Sequence, residues 1–395
     1  MALEETVNYQ CPNCHGPLHF VGESGQLQCD YCDSQFSVQQ IEELYATKQQ
    51  TAEDKAAAHA AKTGADKGPD TVVENSKKRA EEKKAAGVDP IQEYLSRASW
   101  DDEDSATLSS SICSSCGAEL IHDQTTAVTQ CPYCGNNTVV PGTMAGTLKP
   151  DYVIPFKLNK DDAVQALKTY YKGKKFLPDA FANTNHIEEI QGVYVPFWLY
   201  SAKTNGDASF AAENVRSWRE GKYQVTETDH YLVERRGYME FERVPADGSE
   251  KMPDAHMDAI EPFDYSELQP FSIAYLPGYL TDRYDVDAAT CSSRVQGRMA
   301  NSTESELAST VTGYGSVTSA GCDTKVEWKD VSYALLPVWM LHTKWENQDF
   351  LFAMNGQTGK LIGDLPIQKS KVVRWFLTLF VPAAAVVSAI AFLLF

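Results

Sequence analysis

Eight cysteines form the one pattern in this 395-residue chain whose residue types and spacing dictate a chemistry. Cys11 and Cys14 (CPNC) are followed, after fourteen residues, by Cys29 and Cys32 (CDYC). Cys113 and Cys116 (CSSC) are followed, after the same gap, by Cys131 and Cys134 (CPYC). Each C-x-x-C sets two sulfurs on one tight turn, and the gap is long enough for a short hairpin that brings the second pair round to complete a tetrahedron. Disulfides or isolated buried thiols do not account for a doubled pattern with equal gaps. The spacing therefore predicts two small four-cysteine zinc ribbons holding two structural Zn2+, because four thiolates per ion leave no open position for water. Gly117 and Gly135 follow their knuckles in the second copy, where the turn calls for positive φ. His15 and Asp33 take those places in the first copy, which is expected to be less regular. Cys291 and Cys322 have no knuckle partner and read as free thiols in a reducing compartment.

The rest of the chain must position these ribbons. It carries 35 Lys+Arg against 54 Asp+Glu, a net charge of −19, and 43% hydrophobic residues, which fits folded domains and argues against a general nucleic-acid binder. The ribbons agree with that reading: Met1–Gln40 and Ala106–Leu148 contain no Lys or Arg with which to neutralise phosphate. The one basic run, Lys77, Lys78, Arg79, Lys83 and Lys84, is interleaved with Glu81 and Glu82 and reads as a solvated helix face. It is the feature that the alternative, a nucleic-acid or transcription-linked zinc-ribbon factor, would have to use.

The composition divides the chain into ribbon 1 (1–40), an Ala/Lys/Glu-rich linker, helical or disordered (41–106), ribbon 2 (107–148), a β-rich α+β domain (149–368), and a basic flank with a transmembrane helix (369–395). The fold class is α+β with a mainly antiparallel sheet. In the β-rich part Asn159 can cap a helix whose Ala163, Ala166, Leu167, Tyr170 and Tyr171 share a face. Segments 192–200, 222–244 and 331–345 read as strands, a helix is expected between Asp287 and Thr312, and a meander ends at Asn355-Gly356. VYVPFWLYSAK (193–203) and ALLPVWMLHTK (334–344) share Pro196/Pro337, Trp198/Trp339 and Lys203/Lys344 at constant offset. Either half the domain is duplicated, or two strands each begin at an edge proline and bury a tryptophan. Trp375–Phe395 is 21 residues without a charge, enough to cross a bilayer, and Lys369, Lys371 and Arg374 before it belong on the cytoplasmic side. MALEETVNYQ has no secretory pattern, so the ribbons are expected in the cytoplasm on a single-pass membrane protein.

Catalytic signatures are missing. NGQTGK (355–360) fails as a phosphate loop, since Met354 stands at the first glycine position and Leu361 follows the lysine. No nucleophile elbow, metalloprotease helix or dinucleotide turn occurs, so no enzymatic activity is expected. The densest polar group is Arg216, Trp218, Arg219, Asp229, His230, Glu234, Arg235 and Arg236, expected on one exposed sheet face. Trp218 and His230 there, and Trp100 beside Asp101–Asp104, are the candidate interaction residues, and an enzyme site near His230 or Trp218 is a further alternative.

The doubled ribbons followed by DYVIPFKL (151–158), GVYVPFWLY, VTGYGSV (311–317), YALLPVWML and FAMNGQTGKLIGDLP (352–366) resemble, over nearly the whole chain, a family of bacterial membrane proteins named for a TFIIB-type zinc ribbon. The resemblance implies a double zinc ribbon joined to a β-rich domain with a hydrophobic C-terminal segment, and the same eight cysteines as ligands. Some relatives carry names suggesting a primosomal helicase, for which this sequence has neither a nucleotide-binding loop nor basic ribbons. Together these features make a membrane-anchored cytoplasmic scaffold or adaptor, binding a protein partner, the expected function.

Overall fold

The computed structural model describes residues 11–13, 18–22, 24–29, 32–41, 43–44, 89–97, 108–123, 131–134, 139–141, 148–182, 187, 189–346 and 348–394. Most of the 41–106 linker, its basic run, Cys14 and Trp100 lie outside them. The strands are β1 (Leu18–Val21), β2 (Gln26–Cys29), β3 (Gln35–Phe36), β4 (Leu108–Cys113), β5 (Glu119–Asp123), β6 (Val139–Pro141) and β7 (Tyr152–Val153). They continue with β8 (Gln191–Glu220), β9 (Tyr223–Asp247), β10 (Gln269–Pro270), β11 (Leu280–Asp282), β12 (Ser316–Trp345), β13 (Gln348–Asn355) and β14 (Leu361–Gly363). The helices that matter for the argument are α1 (Pro90–Leu95), α2 (Lys160–Tyr171), α3 (Asp254–Ile260), α4 (Ala288–Ser309) and α5 (Lys369–Leu394). The result is a mixed α+β protein rich in strands, with β1–β3 in one small sheet and the remaining strands in an eleven-stranded sheet.

The centre of the large sheet is the antiparallel pair β8 and β12, paired from Ser316↔Glu213 to Met340↔Gln191 with two register shifts between. Both strands are buried on both faces near Val195 and Leu336, which is why they read as near-continuous apolar runs. Alternation sends Tyr194, Trp198, Tyr200, Tyr333, Leu335 and Trp339 into one core, shared with α1, α2 and α4. Val193, Val195, Phe197, Leu199, Leu336 and Val338 enter the other core, together with α3 and the second cysteine region. Helix α2 begins where its capping box places it, Asn159 accepting from the Asp162 N–H, and α4 begins at Asp287, which accepts from Thr290. The expected C-terminal meander is β12–β13–β14, closed by Asn355, whose side chain accepts from the N–H groups of Gln357 and Thr358.

The two Pro-x-Trp strands lie side by side, and neither is at an edge. Their surroundings repeat. β7 runs parallel to β12 (Tyr152↔Ala334) and β11 runs parallel to β8 at the equivalent register (Leu280↔Val193). Trp339 Nε1 donates to the Leu158 carbonyl at 3.0 Å and Trp198 Nε1 to the Val286 carbonyl at 2.8 Å, each acceptor directly preceding the N-cap of α2 or α4. The Pro196 carbonyl accepts from Gly248 and the Pro337 carbonyl from Gly356. Both halves thus follow one plan, strand–helix–strand–strand, each contributing its first strand to the other's long strand. The close approach explains the glycine: a Cβ on Gly356 would stand 2.7 Å from the Phe156 ring.

Beyond this duplicated body, β8, β9 and β12 continue as a three-stranded arm; thirty residues of β8 or β12 amount to about 100 Å of strand. The expected strands were shorter, because TNGDASFAAEN carries Asn, Asp, Gly and Ala that score poorly as strand formers. Two flanking strands supply the hydrogen bonds that its own preferences do not. The C-terminal half of α4 covers one face of the arm against Ala208, Phe210, Ala212 and Val233. Gly206 lets it approach, since a Cβ there would meet Thr303 Cγ2 at 2.8 Å. Helix α4 is further tied down by Arg294, which reaches Asp247 at 2.9 Å and Asp254 at 2.7 Å.

Candidate metal centres

Four sulfurs converge in the second cysteine region. Cys113 ends β4, and its Sγ lies 3.6 Å from that of Cys134; Cys116 and Cys131 are 3.7 Å apart, and all four ligand atoms lie within 4.8 Å of one another. A disulfide would bring sulfurs to about 2.05 Å. A tetrahedral ion with bonds of about 2.3 Å spaces its sulfurs about 3.8 Å apart, which is close to the spacing here. The group could hold a metal ion.

At the first region Cys11, Cys29 and Cys32 likewise lie within 4.8 Å, with Cys11 and Cys32 sulfurs 3.5 Å apart. Cys14 is outside the described residues. The two knuckles that can be compared share two backbone bonds. The Cys29 N–H donates to the Ser34 carbonyl and the Cys113 N–H to the Ala118 carbonyl. The Asp33 N–H donates to the Cys29 carbonyl and the Gly117 N–H to the Cys113 carbonyl. Gly117 has φ +71° and Asp33 +53°, so the first copy reaches the left-handed turn with aspartate, one of the few residues that tolerate it.

The second centre is built into the body. β4–β5–β6 join the large sheet through β5, which pairs with β11 (Thr281↔Ile121, Asp282↔Leu120), and Arg283 forms an ion pair with Glu119. Cys113, Cys131, Leu120 and Tyr133 pack in the same core as Val193 and Phe197. Burial pushes the Cys116 thiol up to about 11 and Cys131 higher still. Burial acts the same way on Cys113, but the N–H groups of Cys116 and Ser115 and the neighbouring thiols outweigh it and bring the group down to about 7. A closed set of four thiols, two of them costly to ionise alone, is the donor chemistry that a soft divalent cation satisfies.

Behind the centre lies a buried carboxyl that the sequence did not single out. Asp282 is fully buried beside Tyr133 and Ser249, and desolvation, with Asp285 nearby, pushes it up to about 7. The two hydroxyls ease this without closing a well-formed hydrogen bond to Asp282 Oδ2. Asp282 and Arg283 are some 150 residues from the cysteine region they abut, and only the β5–β11 pairing brings them there.

No family model matches the chain, and no solved structure matches it. A protein of Bacillus subtilis (strain 168) described as "Uncharacterized protein YdjG" is 36% identical over 240 residues, 60% of this chain and 70% of that protein. The chain belongs to the YdjG family. For a YdjG-family chain the remaining described candidates, Trp218 and His230, lie on the β8–β9 arm and do not converge. Trp218, 46% exposed, lies near the tip of the β8–β9 hairpin on the face that α4 covers further in, where Arg216 bonds Asp229 at 2.8 Å. His230 is on the opposite face, paired with Glu213 at 2.9 Å, as Arg236 is with Asp207. The polar group expected on one face is therefore split between two by strand alternation.

Helix α5 is long and apolar enough over Lys369–Ser388 to cross a membrane, and none of that stretch is buried against the rest of the described protein. Its first turn is moored: Lys371 Nζ bonds the Leu177 carbonyl at 2.7 Å and Asp179 at 2.6 Å, and Trp375 packs edge-on against Phe176.

Proposed function

We propose that this protein is a membrane-anchored cytoplasmic scaffold or adaptor, its two cysteine centres being TFIIB-type zinc ribbons with structural Zn2+, and its folded body presenting a surface to a protein partner. The observation that carries the reading is the closed four-sulfur set at Cys113, Cys116, Cys131 and Cys134, spaced for a tetrahedral ion with no position left for a substrate or water. The exposed apolar helix α5, moored to the body at Lys371 and Trp375, supports the anchor. The basic residues Lys369, Lys371 and Arg374 support a cytoplasmic body.

The test has two arms. Metal analysis of the purified full chain should find two zinc ions per chain and no iron; iron in their place would replace the zinc reading with an iron–sulfur one. Cross-linking in intact membranes should capture a protein that is lost with Cys131→Ser/Cys134→Ser while the membrane fraction is unchanged. Capture that survives the double variant would remove the second ribbon from the recruiting surface.

A further inference from the structure

The arm has two long edges, and they are protected unequally. The outer edge of β12 carries register shifts at Ser319/Gly321 and Trp328/Asp330 and the lysines Lys325 and Lys329, devices that discourage pairing with another strand. Among the described residues β9 pairs only with β8, and its other edge is open. From Tyr223 to Phe241 its register is unbroken and it contains no proline and no lysine. On the face away from α4 it exposes Leu232 (70%) and Tyr238 (67%), with His230, Glu234, Arg236 and Glu240 between and around them.

The geometry points to a second copy of this chain as the occupant: the β9 edges of two protomers pair antiparallel about a dyad at Arg235, joining the two arms into one continuous sheet. Opposed residues in an antiparallel pair share a face, so only registers that keep residue parity are allowed. With Arg235 on the dyad, Glu234 faces the partner's Arg236 and Arg236 faces the partner's Glu234. The same register sets Leu232 against the partner's Tyr238 and His230 against the partner's Glu240. Each contact occurs twice, as a two-fold interface requires. Moving the dyad to Glu234 or Arg236 sets like charge against like charge, which disfavours both neighbouring registers. On the α4 face the two Arg235 side chains meet at the dyad, but each is drawn back along its own chain, Nε donating to Thr310 Oγ1 at 3.2 Å and Nη1 to the Glu234 carbonyl at 2.9 Å. The backbone of the free edge supplies the hydrogen bonds and the alternating side chains supply the register, as in other strand additions.

The test uses the full chain in detergent micelles, with sedimentation equilibrium over a micromolar range as the readout and bound metal and circular dichroism as the check on folding. The wild type should dimerise. Glu234→Arg sets like charges together twice and should weaken the dimer about tenfold, and Glu234→Arg/Arg236→Glu should restore it. Separately, Leu232→Cys/Tyr238→Cys should oxidise to a covalent dimer, whereas Leu232→Cys/Arg236→Cys, which no favoured register brings together, should do so far less. A monomer at every concentration would overturn the inference. So would a dimer indifferent to Glu234→Arg, or equal cross-linking of the two cysteine pairs.

Discussion

The first cysteine centre stands on the short strands β1, β2 and β3, with a small core of its own around Leu18, Phe20, Leu27 and Ile41 that touches the body at Ala274 and Tyr275. The second has the same cysteine spacing and the same knuckle bonds, but its strands belong to the eleven-stranded sheet and its ligands line a core shared with β8 and β12. One motif is an appended module and the other a structural member. The difference teaches that ligand spacing specifies a metal-binding turn, while the consequence of losing the metal depends on what else the strands of that turn support.

Removing metal from the second centre should therefore have the largest effect. Cys131→Ser/Cys134→Ser should lower the stability of the whole body by more than about 3 kcal/mol, since a structural ion's binding energy is folding energy, as read by urea unfolding of the full chain in detergent. An unchanged midpoint would show that the β5–β11 junction survives without the ion.

The buried carboxyl behind the second centre gives that region a pH signature of its own. Asp282 has its folded-state pKa raised above the unfolded value of about 3.9, so the native state favours the protonated form. The associated stability is fully present below about pH 4 and is lost as pH rises toward about 7. Relative to Asp282→Asn, the wild type should lose on the order of 1.4 kcal/mol per pH unit across that window and then level off, measured by unfolding in buffers of stepped pH. Parallel curves for the two proteins would mean that Asp282 does not titrate there.

Cys29→Ser/Cys32→Ser should release one of the two ions yet leave the main unfolding transition within about 1 kcal/mol of wild type, because the small core around Leu27 is what it dismantles. A collapse comparable with that of the second-centre variant would erase the contrast between module and member. The smallest effect belongs to Glu119→Ala. Its ion pair with Arg283 links the second cysteine region to β11 but is partly exposed, so the loss should be about 0.5 kcal/mol in unfolding.

Much of this was legible in the residues. Equal C-x-x-C gaps define the thiol sets because a knuckle is a local object, four residues long, whose geometry depends little on the rest of the chain. The caps at Asn159 and Asp287, the Asn355-Gly356 turn and the uncharged C-terminal run are local for the same reason. Trp198 and Trp339 were visible as an echo, but two strands of similar composition cannot say whether they belong to equivalent halves. The matched bonds to Val286 and Leu158 can, because they place each tryptophan at the same point of the same plan.

Tertiary structure alone decided the rest. It extended β8 through weak strand formers, since hydrogen bonds from the two strands that flank it, β9 and β12, outweigh local preference. It also divided Arg216 and Trp218 from His230 and Arg236, since their parity on paired strands, rather than proximity in the chain, sets the face. And it brought Asp282 and Arg283 to the second cysteine centre through a two-residue pairing of β5 with β11, a contact across so much chain that no local pattern encodes it. The sequence by itself determined the two thiol sets, because each is assembled from four-residue turns; only the packed sheet decided that one set would keep a small core of its own and the other share the core of the body, because which core a strand joins is a property of the whole fold.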